Sequence, residues 1–564
     1  VPEIPADERR AARSRAPPDP TKKGRNGQLT GNIKMTDKTA IAKPGIGRRA
    51  FLRGATATGI AAATMPLGSR IWAQSGKVLR VSSYADIDAL DPGFYQNGYN
   101  VDVMNCIYSK LVRYVPGREW DWELEAAEEI EQVDDTHIRF KLKPGIMFTG
   151  GYGEMTAEDV KFSFERVLEH DSPVKSDWGP LDHVEVTGTY EGVIVLKEPF
   201  QPLWSITLPY GTGHIVSKKA VMEATENGGN FGMEPPAFSG PYILKDWKPN
   251  QYVHLVRNPE WTGEAPGFDE IRILPMDDTK TAERAYEAGD LDYTEITLSS
   301  LAQYRGNVPA DTVIEEYPSL YYVWLGMNLD NPALGDENLR KAIQYAINAE
   351  QIIDAAYFGE AAPATGMIAP GLPGHRDTPS VPVAGDLDKA REYLEAAGGP
   401  PSEPLTIDAL NATVWKTMAE VIQAQLAQIG IETQINVQDS GSFWTLGMES
   451  EGERWKDMQL VLNRFSMLPD PYYATSWFVT DQVGVWNWER FSNEEFDALH
   501  QQALSETDGE KRAGLYRTMQ KLMEDSDAYK FITHEGTPVM YREGLEPALR
   551  PDGRPLFVDF KGDV

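Results

Sequence analysis

The run Leu405-Thr406-Ile407-Asp408-Ala409-Leu410 decides the fold class together with its continuation: a helical pattern over 413–429, a stop at Gly430, and the alternating Ile431-Glu432-Thr433-Gln434-Ile435-Asn436-Val437. A strand, a helix and a second strand in this order form a βαβ unit, with parallel strands and a right-handed crossover. In such sheets ligands sit beyond the carboxyl ends of the strands. That rule singles out Asn411 and Trp415 after the first strand, and Arg464 and Phe465 if 458–463 is a neighbouring strand.

Upstream, 321–328 reads as a strand of large apolar residues. Asp336 caps a helix with Leu339, Ala342, Ile343, Ala346, Ile347 and Ile353 on one face. The Pro/Gly-rich stretch 363–382 is long for a connector, which marks it as a candidate functional loop. A short helix over 386–397 stops at Gly398-Gly399. In the first half, 77–82 alternates as a strand and runs into an aromatic loop, Phe94-Tyr95-Gln96-Asn97, a suitable place for a ligand. Residues 136–142 alternate as a second strand, and Thr156-Ala157-Glu158-Asp159 has capping-box form ahead of a helix of about three turns. A hairpin over 181–196 and the strand pair 242–247 and 252–257 complete this half, and 116–235 reads as an insertion.

With 564 residues the chain is long enough for several folded units. A hydrophobic share of 41% with 14 Trp and 24 Tyr excludes wholesale disorder. No apolar run reaches the ~20 residues of a membrane span. A net charge of −31, with no basic run beyond the N-terminal region, argues against nucleic acid as a partner. The single cysteine, Cys106, excludes an intramolecular disulfide and reads as a buried core thiol.

Gly47-Arg48-Arg49-Ala50-Phe51-Leu52-Arg53, a mildly apolar stretch over 54–66 and Ser69-Arg70-Ile71-Trp72-Ala73 together read as an export signal of twin-arginine type, cleaved near Ala73. Residues 1–34 precede Met35, from which a leader of ordinary length begins, so the start is read as either Val1 or Met35. The segment 1–73 carries 14 Lys/Arg against 5 Asp/Glu, leaving the remaining 491 residues at −40. Such acidity favours solubility and says little about a ligand.

Motifs of enzymatic machinery are absent. There is no Gly-x-Ser-x-Gly elbow, no His-Glu-x-x-His pair and no Gly-x-x-x-x-Gly-Lys loop; Gly211-Thr212-Gly213 lacks a third glycine, and His534-Glu535 lacks a second histidine. The eight histidines are scattered, so no metal site and no cofactor is expected. Carboxylate pairs cannot be judged from spacing in sequence.

Specific blocks carry a resemblance. They are Leu111-Val112-Arg113-Tyr114; the run from Ile138-Arg139-Phe140 through Pro144-Gly145 to Thr156-Ala157-Glu158-Asp159-Val160; Gly240-Pro241-Tyr242 with Arg257-Asn258-Pro259-Glu260-Trp261; Ala288-Gly289-Asp290-Leu291-Asp292; and Asn328-Leu329 with Leu339-Arg340-Lys341-Ala342-Ile343. Over 77–560 the chain resembles the family-5 extracellular solute-binding proteins of ABC importers, the peptide/opine/nickel class. The resemblance implies an α/β, two-lobe periplasmic-binding-protein fold (type II/class C-like) with an extra subdomain inserted in lobe one. The implied division is 74–115, 236–304 and 531–564 for lobe one, 116–235 for the insertion and 305–530 for lobe two. It also implies a monomeric periplasmic receptor, with a small-molecule solute and the ABC permease subunits as partners and no catalysis.

In peptide-binding members an acidic residue three positions before an Asp-Pro-like step clamps the ligand ammonium. Here the step is Asp470-Pro471 and that position is Met467, so the clamp is missing unless Asp470 substitutes. Arg464 offers a fork for a carboxylate, phosphate or sugar hydroxyls; the alternative is an ion pair with Asp470 that fixes the loop. Tyr95, Trp324, Trp415, Trp486 and Trp488 stack on the solute or pack in the core. The ligand-binding set is therefore Tyr95, Asn97, Trp324, Asn411, Trp415, Arg464, Phe465, Asp470, Trp486 and Trp488. Two rival functions are a secreted carboxylate-dependent glycosidase and a periplasmic peptide-binding chaperone or sensor.

Overall fold

The structure is a computed structural model that describes residues 76–564. The export signal and its cleavage point lie outside the described residues. Three sheets organise the chain. A seven-stranded sheet runs in the order Tyr242–Lys248, Tyr252–Arg257, Glu270–Pro275, Val78–Ser83, Tyr293–Glu295, Gly536–Arg542, Thr312–Pro318. A four-stranded antiparallel sheet, Ala127–Gln132, His137–Leu142, Glu191–Leu196 and Leu181–Val186, is built within 116–235. A five-stranded sheet runs Thr433–Gln438, Leu405–Leu410, Leu460–Ser466, Tyr321–Met327, Tyr529–Thr533.

The βαβ unit forms as read: Leu405–Leu410 lies parallel to Thr433–Gln438 from Leu405 opposite Thr433 to Leu410 opposite Gln438, with the helix Thr413–Ala427 between them. Leu460–Ser466 pairs parallel on the other side and antiparallel to Tyr321–Met327, so the sheet is mixed. Successive side chains of Tyr321–Met327 enter two different cores: Val323, Leu325 and Met327 one, Tyr322 and Trp324 the other. A strand buried on both faces needs a continuous apolar run, which this one has.

The capping box at Thr156 forms: Asp159 accepts from the Thr156 backbone and hydroxyl, and the helix is Ala157–Glu169. Three expectations are corrected. The helix capped by Asp336 ends at Ala346, and Asn348 caps a second helix, Ala349–Tyr357, because its side chain accepts from Gln351 N–H. The Pro/Gly-rich stretch, expected as a functional loop, is packed into the lobe: Met367, Ile368, Ala369 and Leu372 are buried in the lobe-two core, and Gln520 bonds both Ile368 N–H and the Gly374 carbonyl. Strand pairing passes between the large sheets at 319–320 and returns at 534–535, later than the expected 305 and 531. Thr312–Pro318 still pairs with Gly536–Arg542, while Phe531 and Ile532 lie in a five-stranded-sheet edge strand. Cys106 is a buried core thiol, as read.

Candidate functional site

The carboxyl end of Leu460–Ser466 opens into a cavity of about 250 Å³. Arg464, Phe465 and Ser466 come from the strand itself, and Tyr321 from the start of its antiparallel neighbour. Tyr473, Trp477 and Trp486 close one side, and Trp444, just after the strand Thr433–Gln438, the other. The rings brace one another: Phe465 lies edge-on to Trp486 at 6.0 Å, and Trp477 to Trp486 at 5.9 Å. A larger cavity of about 450 Å³ is bordered by lobe-one residues alone, among them Lys110, Glu125 and Trp261, and is separate from this one.

Of the expected ligand residues, Arg464, Phe465 and Trp486 converge on the cavity. Arg464 is not a free fork. It donates to Glu535 through Nε at 2.9 Å and Nη2 at 2.7 Å and lies 3.5 Å from the centroid of the Tyr321 ring. Burial, the largest single influence, opposes its charge, but Glu535 together with Tyr321 and Tyr357 outweighs burial and keeps the guanidinium protonated. Asp470 is not its partner and offers no free clamp. It caps the helix Pro471–Thr475, pairs with both Nη atoms of Arg512 at 3.0 and 2.7 Å, and accepts from Ser205 Oγ at 2.6 Å.

The remaining expected residues do not line this cavity. Trp415 falls on the helix stripe with Met418, Ala419, Ile422 and Leu426 and packs on Phe443. Trp324 is fully buried, donating to Glu489 at 2.7 Å, and Trp488 fills the space that Gly447 leaves open. Asn411 is exposed and meets Lys416 at 3.4 Å. Asn97 caps the helix Gly98–Ile107, accepting from Tyr99 and Asn100 N–H. Tyr95 is buried against Tyr210, edge-on at 6.3 Å.

Tyr95 nevertheless belongs to a second wall. Burial raises its hydroxyl pKa well above the usual tyrosine value, and the charges of Asp177, Tyr210 and lobe-two Tyr473 add to the rise. Tyr473, which lines the cavity, is pushed up to about 12 by burial and then by Asp177 and Tyr210. Burial likewise raises the Tyr99 hydroxyl against the pull of Arg554, with Glu295 and lobe-two Tyr321 adding to the rise. The segment 203–213 carries this wall. Leu203–Thr207 is a single π-turn, Ser205 reaches Asp470, and Thr207 and Thr212 bond Asp177. Gly211 is required there, since a Cβ would lie 2.3 Å from the Tyr95 ring. Gly211-Thr212-Gly213 thus serves close packing rather than phosphate. The walls also touch through Gln201 N–H to the Leu504 carbonyl, 2.8 Å, and Phe200 edge-on to Tyr472.

Asp177 and Glu295 give the lobe-one wall its charge. Burial raises Asp177 from 3.8 to about 7, with only the Thr212 hydroxyl opposing, and burial raises Glu295 against the pull of Arg554. Neither forms an ion pair among the described residues. Arg554 itself pairs with Asp102 at 2.6 Å. Among the described residues no group of three His, Cys, Asp or Glu converges to hold a metal. Trp444, Trp477, Tyr473 and Asp177 were missed by sequence reading; the ring density of 472–488 was the available signal for Tyr473 and Trp477, and no motif marked Asp177.

Two α/β lobes that meet at an aromatic cavity facing a tyrosine- and carboxylate-lined wall define a two-lobe solute-binding protein. Residues 122–485 match the family described as bacterial extracellular solute-binding proteins, family 5 Middle, and the chain belongs to that family. It is 25% identical over 473 residues, 81% of this chain and 88% of the relative, to the probable D,D-dipeptide-binding periplasmic protein DdpA of Escherichia coli K12. It is 25% identical over 501 residues, 84% and 89%, to the oligopeptide-binding protein AppA of Bacillus subtilis 168. Among solved structures, the ABC transporter substrate-binding protein CtaP of Listeria monocytogenes superposes with a TM-score of 0.74 at 21% identity, covering 87% of this chain and 100% of that one. NikA of Brucella suis, in complex with Fe(III)-EDTA, also gives 0.74 at 21%, covering 86% and 100%. The two-lobe fold and the solute-binding class expected from the sequence therefore hold, and the relatives are binding proteins. The hydrolase and chaperone readings are not favoured.

Proposed function

We propose that the protein captures a small polar solute, a peptide, opine or related amino-acid or sugar derivative, between its lobes and passes it unaltered to an ABC permease. The observation that carries this reading is the ring-lined cavity at the strand ends of lobe two, beside which Ser205 and Phe200 of lobe one reach Asp470 and Tyr472. A concave, largely aromatic pocket with few polar groups suits binding and orientation. The names of the relatives, which refer to D,D-dipeptides, oligopeptides and glutathione, favour the peptide-like end of that range. The Ser205–Asp470 bond joins the lobes and stabilises a closed form. In this reading the protein is a monomer, exported through the twin-arginine-type signal, without catalysis; lobe one, its 116–235 subdomain and lobe two act as separate bodies that close on the solute. The test is mass spectrometry of the small molecule released from protein purified without denaturation, then incubated again with the same protein. The expected result is one dominant solute returned at unchanged mass; a transformed solute overturns the reading.

A further inference from the structure

Behind the ring wall of the lobe-two cavity lies a carboxyl that solute capture has not yet used. Glu489 follows Trp486 closely in the chain and is fully buried, at 0% exposure. Its Oε1 accepts from the Trp324 indole at 2.7 Å, and its backbone carbonyl accepts from Leu329 N–H at 3.0 Å. Its Oε2 is buried with no hydrogen bond from another residue, and the side chain makes no ion pair among the described residues. The carboxyl lies against Gly326, where a Cβ would overlap it, so a glycine within the strand Tyr321–Met327 makes room for the acid.

The groups around it supply no charge. From the same strand comes Tyr322, stacked on Trp324 at 5.2 Å; from the edge strand comes Tyr529, paired opposite Gly326. Burial pushes both hydroxyls well above the usual tyrosine value, so both stay neutral. Asn463 stands opposite Trp324 on the third strand. Arg490, the next residue, is committed to Asp330 and Glu449. A carboxylate buried this completely, with no cation to answer it, is costly, whereas the same group as a neutral acid is not. In keeping with that, burial raises Glu489 from 4.5 to about 7 against the Trp324 indole and its own backbone N–H. Trp324 in turn backs the cavity: its ring stands edge-on to Phe465 at 5.1 Å, and Phe465 lines the cavity beside Trp486.

We propose that Glu489 is the positioning residue of the cavity's ring wall: as an uncharged acid it fixes the Trp324 indole, Trp324 backs Phe465, and loss of the proton to solvent lets the wall shift. The proposal rests on the solute-binding reading and adds how its ring surface is held, firm below neutrality and altered above it.

The test uses the mature protein without added solute, isotope-labelled at its tryptophan indole nitrogens and followed by NMR from about pH 5 to about pH 9. Trp324→Phe, Trp477→Phe and Trp486→Phe assign the three indole signals. The expected result is that the Trp324 signal moves with a midpoint near pH 7 and that the Trp477 and Trp486 signals move with it. In Glu489→Gln, which keeps an acceptor for the indole and carries no charge, all three should stay at their low-pH wild-type positions across the series. Should that variant not fold, Asp177→Asn decides: it removes the other carboxyl that burial raises to about 7 and leaves Glu489 in place, so the three titrations must persist in it. A Trp324 signal that does not move in wild type, or that still moves in Glu489→Gln, overturns the uncharged acid. A Trp324 signal that moves while Trp477 and Trp486 stay still overturns the positioning role, and titrations lost in Asp177→Asn overturn the assignment to Glu489. Each of these leaves the solute-binding reading standing, which fails separately on a transformed solute.

Discussion

The two walls of the cleft are built on different principles. Lobe two presents rings, and the cation among the residues lining its cavity, Arg464, is paired with Glu535 inside the protein. Lobe one presents tyrosines and two carboxyls, and Asp177 has no counterion of its own among the described residues. A group that is already paired contributes shape, whereas a carboxyl without an ion pair can still contribute selectivity toward a complementary solute. On the proposed reading, lobe two would orient the solute through its rings and lobe one would meet its polar groups.

The contrast can be broken most severely at Gly211. Gly211→Val drives a side chain into the Tyr95 ring, and we expect solute affinity to fall by more than about tenfold with a lowered melting temperature. Trp477→Ala removes one ring from the lobe-two cavity; calorimetry should show a loss of about tenfold, in keeping with about 1 kcal/mol or more for a stacked ring. Ser205→Ala deletes the hydrogen bond to Asp470 that joins the lobes, and a weakening of several-fold, from about 1 kcal/mol, should appear mainly as faster release in stopped-flow measurements.

Arg464→Ala sharpens the comparison differently. Its guanidinium serves Glu535, so affinity should change less than about threefold while denaturant unfolding shows a loss of about 1–2 kcal/mol, discounted for partial exposure. Glu535→Gln in the same background should restore part of it. The smallest effect is on pH dependence. Asp177 holds its proton in the folded state up to about pH 7 but in the unfolded chain only to about 3.8, so its contribution to stability is complete below about pH 4 and is lost as pH rises to about 7. Asp177→Asn should flatten the stability profile across that window.

Local pattern made much of the fold legible. The alternation of 431–437, Gly430 at φ +87° and the capping box at Thr156 each specify a backbone conformation, and each formed. The site was less legible because a ring at a strand end has two destinations. Arg464 and Trp486 face the cavity, while Trp415 turns inward because its spacing to Met418, Ile422 and Leu426 places it on the buried stripe, a signal that the strand-end rule overrode. Asp177 left no trace in sequence, since its lack of a counterion is a property of tertiary packing between segments far apart in the chain.

The measurement that bears most directly on the account is a crystal structure of the protein purified without denaturation and without added ligand. The account predicts density for an unmodified small molecule enclosed between Tyr473, Trp477 and Trp486 on one side and Tyr95 and Asp177 on the other. Density for that molecule anywhere else, such as the lobe-one cavity beside Lys110 and Trp261, contradicts it.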